Sequence, residues 1–408
     1  MPATAPLPAE PPEPYQTNVS QTIPPDIGLG PDPLVPFFSG PVRYVNVPTF
    51  AVGPVYSNHN HDPSITQCPN GDLLAIWYTT WSETGRELAL AASRLRYGQT
   101  NWEFASFLYD IPDRNDHAPA LYSDSNGTIY HFNGISAAAT WGPLTIVSRF
   151  TTNSGASWSK PLLILPEHDV RHQMVPSVFR TRSGAIVLTA DAGSKGDGGT
   201  AVIISRDGMV TWNDPGAGQP IPNFVDGGTG AWIAGIHANV TELADGRWLA
   251  LGRGDSINGM MPQSVSYDQG TNWTYSASGF QPIGSNQRLK LLRLKEGPLF
   301  FAAFGVNMPI TDASGGTRTV SGLFGAISYD DGVTWPFQRL ISDDGPGRSV
   351  ETLDGGLFTL SFSNAEPKGY LDAVQARNGV IHLISSRQHY EFNLKWLTTR
   401  PPSSPVSP

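Results

Sequence analysis

Cys68 is the only cysteine among 408 residues, so no internal disulfide can brace the fold. No run approaches the roughly eighteen apolar residues that a membrane-spanning helix needs. Charged residues make up only 15 %, and the long Ala/Glu/Lys/Leu blocks of helical domains are missing. Basic patches are scarce too: 26 Lys and Arg stand against 35 Asp and Glu, a net charge of −9, which argues against a nucleic-acid partner. The opening MPATAPLPAEPPEPY has neither a basic nor an apolar leader segment, so it shows no signal peptide.

Glycine (43) and proline (36) are abundant, with 10 % aromatic and 39 % hydrophobic residues. That profile suits a sizeable core made of many short strands joined by tight turns. Prolines crowd residues 1–40 without apolar periodicity, which predicts an extended arm, disordered or laid across the domain surface. Residues 399–408 form a similar Pro/Ser tail, leaving 41–398 as the folded body. Four Asn-x-Ser/Thr sequons, at Asn18, Asn126, Asn239 and Asn272, join the low charge in pointing to a secreted glycoprotein. Asn239 falls in an expected inner strand, where a glycan has no room.

Within the body one unit recurs: a short apolar strand, a turn with Gly, and a strongly apolar strand. Copies lie at 63–78, 119–134, 176–191 and 239–254, with weaker ones at 289–304 and 373–386. Their Asn-Gly, Ser-Gly and Asp-Gly turns suit two-residue hairpin loops. A second feature follows several of these pairs: TTNSGASW (151–158), SRDGMVTW (205–212), SYDQGTNW (266–273) and SYDDGVTW (328–335), with a degenerate version at 93–102. The Asp accepts backbone N–H groups across the turn, glycine permits a positive φ, and Trp packs beneath.

These octets resemble the Asp-box (BNR) repeats of the sialidase superfamily, over nearly the whole body. The resemblance implies an all-β, six-bladed β-propeller, with a seventh blade left open because 340–365 fits none of the six. Residues 43–52 would complete the last blade beside 390–397 and close the ring, leaving no free edge. The boxes themselves identify a fold and not a chemistry.

In a propeller the starts of the inner strands crowd one end of the axis. Five of the nine histidines fall there: His59, His61, His117, His172 and His237. Each alone is equally well explained as a hydrogen-bonded structural histidine; together they point to a polar axis. The sialidase pattern has three carboxylate-clamping arginines, a Tyr nucleophile paired with Glu, and an Asp acid on a loop. Its first arginine position holds His61 here. Arg253 matches the second and Arg318 the third, with Arg288 joining the substrate-binding set. Tyr370 matches the nucleophile, His237 takes the place of its Glu partner, and Glu83 matches the acidic loop residue. Retained arginines suit an anionic substrate, and a neutral imidazole exchanges protons near neutral pH.

That combination is similar to propeller-type uronate lyases, which use His and Tyr to remove the C5 proton of a uronic acid. The segment Asn60-His61-Asp62-Pro63-Ser64 resembles their first-blade start, whereas their second histidine is absent from IWYTTWSE (76–83). The implied function is cleavage of a glycosidic bond at an acidic sugar. His61, His237, Tyr370 and His117 are the expected catalytic residues, and Arg253, Arg318, His172, Arg288 and Glu83 the expected substrate-binding ones. The expected partner is an oligo- or polysaccharide bearing an acidic sugar, held by a monomer without membrane contact. No cofactor is expected. Three alternatives stay open: an exo-sialidase-like hydrolase, a sugar-binding propeller without catalysis, and a cation ringed by His61, His117, His172 and His237 on the axis.

Overall fold

A computed structural model describes residues 11–168 and 171–406. The six repeated units are the inner hairpins of six blades. Blade 1 has strands His59–Gln67, Leu73–Thr80, Ala89–Leu95 and Ser106–Tyr109. Blade 2 has Asn115–Ser123, Ile129–Ser136, Leu144–Thr151 and Leu162–His168. Blade 3 has Met174–Arg180, Ile186–Asp191 and Thr200–Ser205; blade 4 has Ile236–Glu242, Trp248–Arg253, Pro262–Ser266 and Trp273–Ala277, with Thr229–Gly230 at its edge. Blade 5 has Lys290–Arg293, Leu299–Thr311, Thr317–Ser328 and Phe337–Leu340. Blade 6 has Asp372–Gln375, Ile381–Ile384 and Gln388–Phe392, and its outer strand is the N-terminal Phe38–Arg43. Six blades close the ring. Residues 340–365 supply a separate hairpin, Arg348–Glu351 with Leu357–Leu360, rather than a seventh.

Burial follows from the stacking of blades. The inner strands are covered on both faces, so Leu73–Thr80 is buried throughout and opens with the unbroken apolar run Leu73–Trp77. The third strand of blade 2, Leu144–Thr151, has one poorer face and mixes buried with half-buried positions. The six inner turns share one geometry. In blade 1 the Cys68 N–H donates to Asp72 O and the Gly71 N–H to Cys68 O, with Gly71 at φ 88. Gly127, Gly184, Gly246, Gly297 and Gly379 repeat it. The loops are therefore three residues long, a type I turn closed by a left-handed glycine, and not the two-residue loops expected.

The Asp boxes form as their chemistry predicts. In 266–273 the Ser266 hydroxyl donates to Asp268 Oδ1 and accepts the Gly270 N–H, while Asp268 Oδ1 accepts the Asn272 N–H at 2.8 Å. In 205–212 the glycine stands one place early, and Met209 takes the left-handed position at φ 70. In the degenerate copy, which lacks an Asp, Asp72 of the neighbouring hairpin accepts the Tyr97 N–H.

Two boundaries differ from expectation. Ring closure uses 38–43 rather than 43–52, with Phe38 opposite Phe392, and residues 394–398 turn into a short helix instead of continuing the strand. Of the expected arm, residues 1–10 lie outside the described residues. From residue 11 it is laid across blades 1 and 2: Tyr15 is buried, its carbonyl accepts from the buried Arg94, and Gln16 and Gln21 donate to carbonyls of the first Asp box. The tail packs beside blade 5 through Pro401 and Val406, and its last two residues lie outside the described set.

One buried carboxyl gives the fold a pH dependence. Burial, with Asp110 adding to it, lifts Asp116 to about 8 against bonds from Ile111 and Asn133. Because the folded value exceeds the ordinary 3.8, this group favours folding below pH 3.8, and that contribution fades as pH rises towards 8. Asp116→Asn keeps the shape without the charge, and its melting temperature is expected to fall less between those pH values than that of the wild type.

Candidate functional site

Bulges near the starts of the inner strands build the site. Pairing slips between His61 and Ser64, between His117 and Ala120, and between Ile236 and Asn239. At those slips Asp62, Ala118 and His237 adopt positive φ of 53, 50 and 52. A bulge re-aims successive side chains, and here it turns residues from several blades towards one another. The left-handed histidine is held by its own N–H, which donates to Asp191 Oδ1 at 2.9 Å.

Tyr370 is the centre of the cluster and only 7 % exposed. Its hydroxyl accepts from Arg253 Nη1 at 2.8 Å, and its ring lies 3.8 Å from that of His61 and 5.4 Å from that of His237. The Arg288 guanidinium covers the ring at 4.6 Å. His61 Nδ1 is 2.8 Å from Ser386 Oγ, while His61 Nε2 and His237 Nδ1 have no hydrogen-bond partner among the described residues. The other His237 nitrogen faces Asp191 Oδ2 at 3.4 Å, and His172 Nδ1 lies 3.9 Å from the same oxygen.

Charge is arranged in two tiers. Below, Arg288 is paired with the buried Asp62, which also accepts from Gln173. Burial outweighs the arginine and lifts Asp62 to about 6. At the mouth, His59 bridges Glu83 at 2.7 Å and Asp354 at 2.6 Å, joining the loop of blade 1 to the turn of the extra hairpin. Burial opposes the His59 charge, but the two carboxylates outweigh it and raise its pKa. Burial likewise opposes the Glu83 charge, and bonds from His59 and Tyr78 still hold it below the usual range. His61 and His237 sit well below 6.5, first because they are buried and then because cations surround them: His59 and the two arginines for His61, Arg253 and Arg288 for His237. Burial raises Tyr370 above 10, with Arg253 pulling the other way. The site thus combines two neutral imidazoles with a protonated phenol, beside a guanidinium.

Most of the expected residues meet here: His61, His237, Tyr370, Arg253, Arg288, His172 and Glu83. Arg288 is committed to Asp62 and is not free to hold a substrate. His117 is buried like His61 and His237, but its Nδ1 is bonded to Asn115 and its ring makes no contact with that of Tyr370. Arg318 is elsewhere: it lies on the outer strands of blade 5, donates to Asp344 and packs on Phe362, so the third arginine of a sialidase clamp is not assembled from it. The histidine ring around a cation is not formed either. Among the described residues, the one group of three or more donors close enough to share an ion is His382, His389 and Glu391 in blade 6.

Sequence reasoning missed Asp62, Asp191, Ser386 and Lys368, the last lying within the field of His61 without an ion-pair partner among the described residues. Aligning the repeats more strictly would have found Asp191, which ends the second strand of blade 3 as Arg253 ends that of blade 4. Of the tryptophans, Trp232 is buried with its N–H on Gly216 O, whereas Trp81 stands 78 % exposed in the loop that carries Glu83.

A family model described as a BNR repeat-like domain matches residues 71–383. No curated protein matches the sequence. Among solved structures, a protein of unknown function from Dyadobacter fermentans DSM 18053 is similar at 16 % identity and a TM-score of 0.57, covering 88 % of this chain and 99 % of its own. A variant of the NanB sialidase from Streptococcus pneumoniae is similar at 12 % identity and a TM-score of 0.59, over 88 % and 72 %. The intramolecular trans-sialidase from Ruminococcus gnavus is similar at 11 % identity and a TM-score of 0.52, over 85 % and 97 %. At these identities the likeness is one of fold.

Proposed function

The chain belongs to the BNR repeat-like family and folds as a sialidase-type six-bladed propeller, and from that premise we propose that it cleaves a glycosidic bond beside an acidic sugar. The finer reading is elimination at a uronic acid. One observation carries it: a phenol whose hydroxyl is bonded by Arg253 has its ring beside two buried imidazoles, each keeping one nitrogen without a partner among the described residues. Arg253 and Lys368 take the carboxylate, and guanidinium suits that role by its paired donors. Neutralising the carboxylate acidifies the C5 hydrogen. His237 removes it at Nδ1, and Asp191 holds the resulting imidazolium through the other nitrogen. The C5–H electron pair becomes the C4–C5 double bond, the C4–O bond breaks, and Tyr370 gives its proton to the departing oxygen. Trp81 supplies an exposed aromatic face for a flanking sugar.

A second reading, hydrolysis in the manner of a sialidase, is favoured by the Tyr370–Arg253 pair and by Glu83 at the mouth. Against it stand the imidazole of His237 where a tyrosine nucleophile needs a carboxylate, and an arginine clamp lacking Arg318. A screen of glycans ending in uronic or sialic acids separates the two. Elimination yields an unsaturated, ultraviolet-absorbing uronate with each new reducing end; hydrolysis yields the reducing end alone. Binding without turnover on every glycan would make this a sugar-binding propeller and sink the enzymatic reading.

We also infer that the protein is secreted and glycosylated. Asn18 and Asn126 are exposed, while Asn239 is buried and Asn272 is tied to Asp268 within its box. Mass spectrometry of protein secreted from a eukaryotic host tests this, and an unmodified mass at both exposed sequons would refute it.

A further inference from the structure

Blade 6 carries a polar cluster unrelated to the axis. His389 and Glu391 alternate along Gln388–Phe392 and so share a face, and His382 on the adjoining strand pairs directly with Glu391. His382 Nδ1 lies 3.0 Å from His389 Nε2 and 3.3 Å from Glu391 Oε1. The two imidazoles stack nearly parallel, at 14°, and both histidines are buried, while 28 % of the Glu391 side chain is open to solvent. Donors bound to zinc at about 2.0–2.2 Å in a tetrahedron stand about 3.3 Å from one another. These spacings match such an edge.

Protons alone serve this cluster poorly. Trp102 Nε1 lies 3.2 Å from His389 Nδ1 and donates to it, which puts the His389 proton on Nε2, aimed at His382 Nδ1. The lone pair of His382 Nδ1 then accepts that N–H, so no proton lies between it and the Glu391 carboxylate 3.3 Å away. A cation centred among the three atoms satisfies all three of them and leaves Trp102 as the one group in conflict. Adjacent strands fix all three donors, so little side-chain freedom is lost on binding. We propose that His382, His389 and Glu391 form a divalent-metal site, suited to zinc by its two imidazoles and one carboxylate, with solvent entry on the Glu391 side.

Metal on His389 Nε2 moves the histidine proton to Nδ1, where it meets the Trp102 N–H. The indole is therefore a built-in competitor, and Trp102→Phe removes the competing donor while keeping an aromatic ring in the core. The test is calorimetric titration of zinc into the full chain after chelator treatment, with cobalt absorption as a second readout of tetrahedral geometry. One equivalent is expected to bind the wild type. Affinity is expected to weaken by more than about tenfold in His382→Gln and in Glu391→Gln, and to tighten by about tenfold in Trp102→Phe, since groups around a ligand set metal affinity on that scale. The partly exposed Glu391 tolerates substitution, so that variant decides the matter if His382→Gln does not fold. Absence of a zinc equivalent from both wild type and Trp102→Phe, or an affinity unchanged in Glu391→Gln, would overturn the site.

Discussion

Tyr370→Phe is expected to lower turnover on a cleavable acidic glycan by about a hundredfold to ten-thousandfold, the range for losing one proton-transfer group. The effect belongs in kcat rather than KM. Phenylalanine keeps the ring against His61 and under the Arg288 guanidinium, so the packing at 3.8 and 4.6 Å survives and only the hydroxyl is lost. Arg253 retains its bond to Gln287 O and stays in place to meet a carboxylate. Circular dichroism should match the wild type, which separates lost chemistry from lost fold. The pH profile offers a companion readout. With His61 and His237 held well below 6.5 by burial and surrounding cations, both stay neutral into mildly acid solution, so the acid limb of kcat/KM should lie below that value. Activity close to the wild type in Tyr370→Phe would remove the phenol from the reaction.

The second large effect is on stability. Arg288→Met should destabilise the protein by about 3–5 kcal/mol at neutral pH, because it leaves Asp62 as an uncompensated buried charge. Both side chains are fully buried, so no solvent screens the pair. Even with its partner, Asp62 is lifted to about 6 from 3.8, burial being the largest cause. A raised folded value means that this carboxyl favours folding below pH 3.8 and ceases to as pH climbs through about 6. Without the arginine the folded value rises further. The deficit of Arg288→Met should therefore shrink on acidification, and Asp62→Asn added to it should restore part of the loss. Denaturant unfolding at several pH values measures this. A deficit independent of pH would mean that the cost comes from packing and not from the stranded charge.

These two residues also show what a sequence can and cannot disclose here. The repeated hairpins and Asp boxes are local devices: a glycine at the turn, an Asp two places after a Ser, a Trp beneath. Each is complete within a few residues, so each was legible, and six hairpins fixed six blades. Ring closure joins strands from opposite ends of the chain, where no local pattern sets the register, and the expected partner segment was accordingly several residues late. The site follows the same division. His61, His237 and Tyr370 stand at blade starts, which periodicity locates. Arg318 sat at a plausible distance along the chain, but its partners Asp344 and Phe362 flank a hairpin that belongs to no blade. Asp62 and Asp191 matter through contacts across blades, with Arg288 and His237, and a single sequence does not display those pairings.

Phe37, just before the closing strand, donates to the Asn393 side chain 356 positions away. That seam cannot form until almost the whole chain exists, so the early segment must wait unpaired through synthesis and collapse, a slow and exposed step in folding terms. The same blade supplies Tyr370 and Ser386, which meet His61 from the neighbouring blade. One end of that seam, where the Tyr44 hydroxyl donates to Ser385 O, therefore lies next to Ser386, and the candidate site is whole only when the circle is complete.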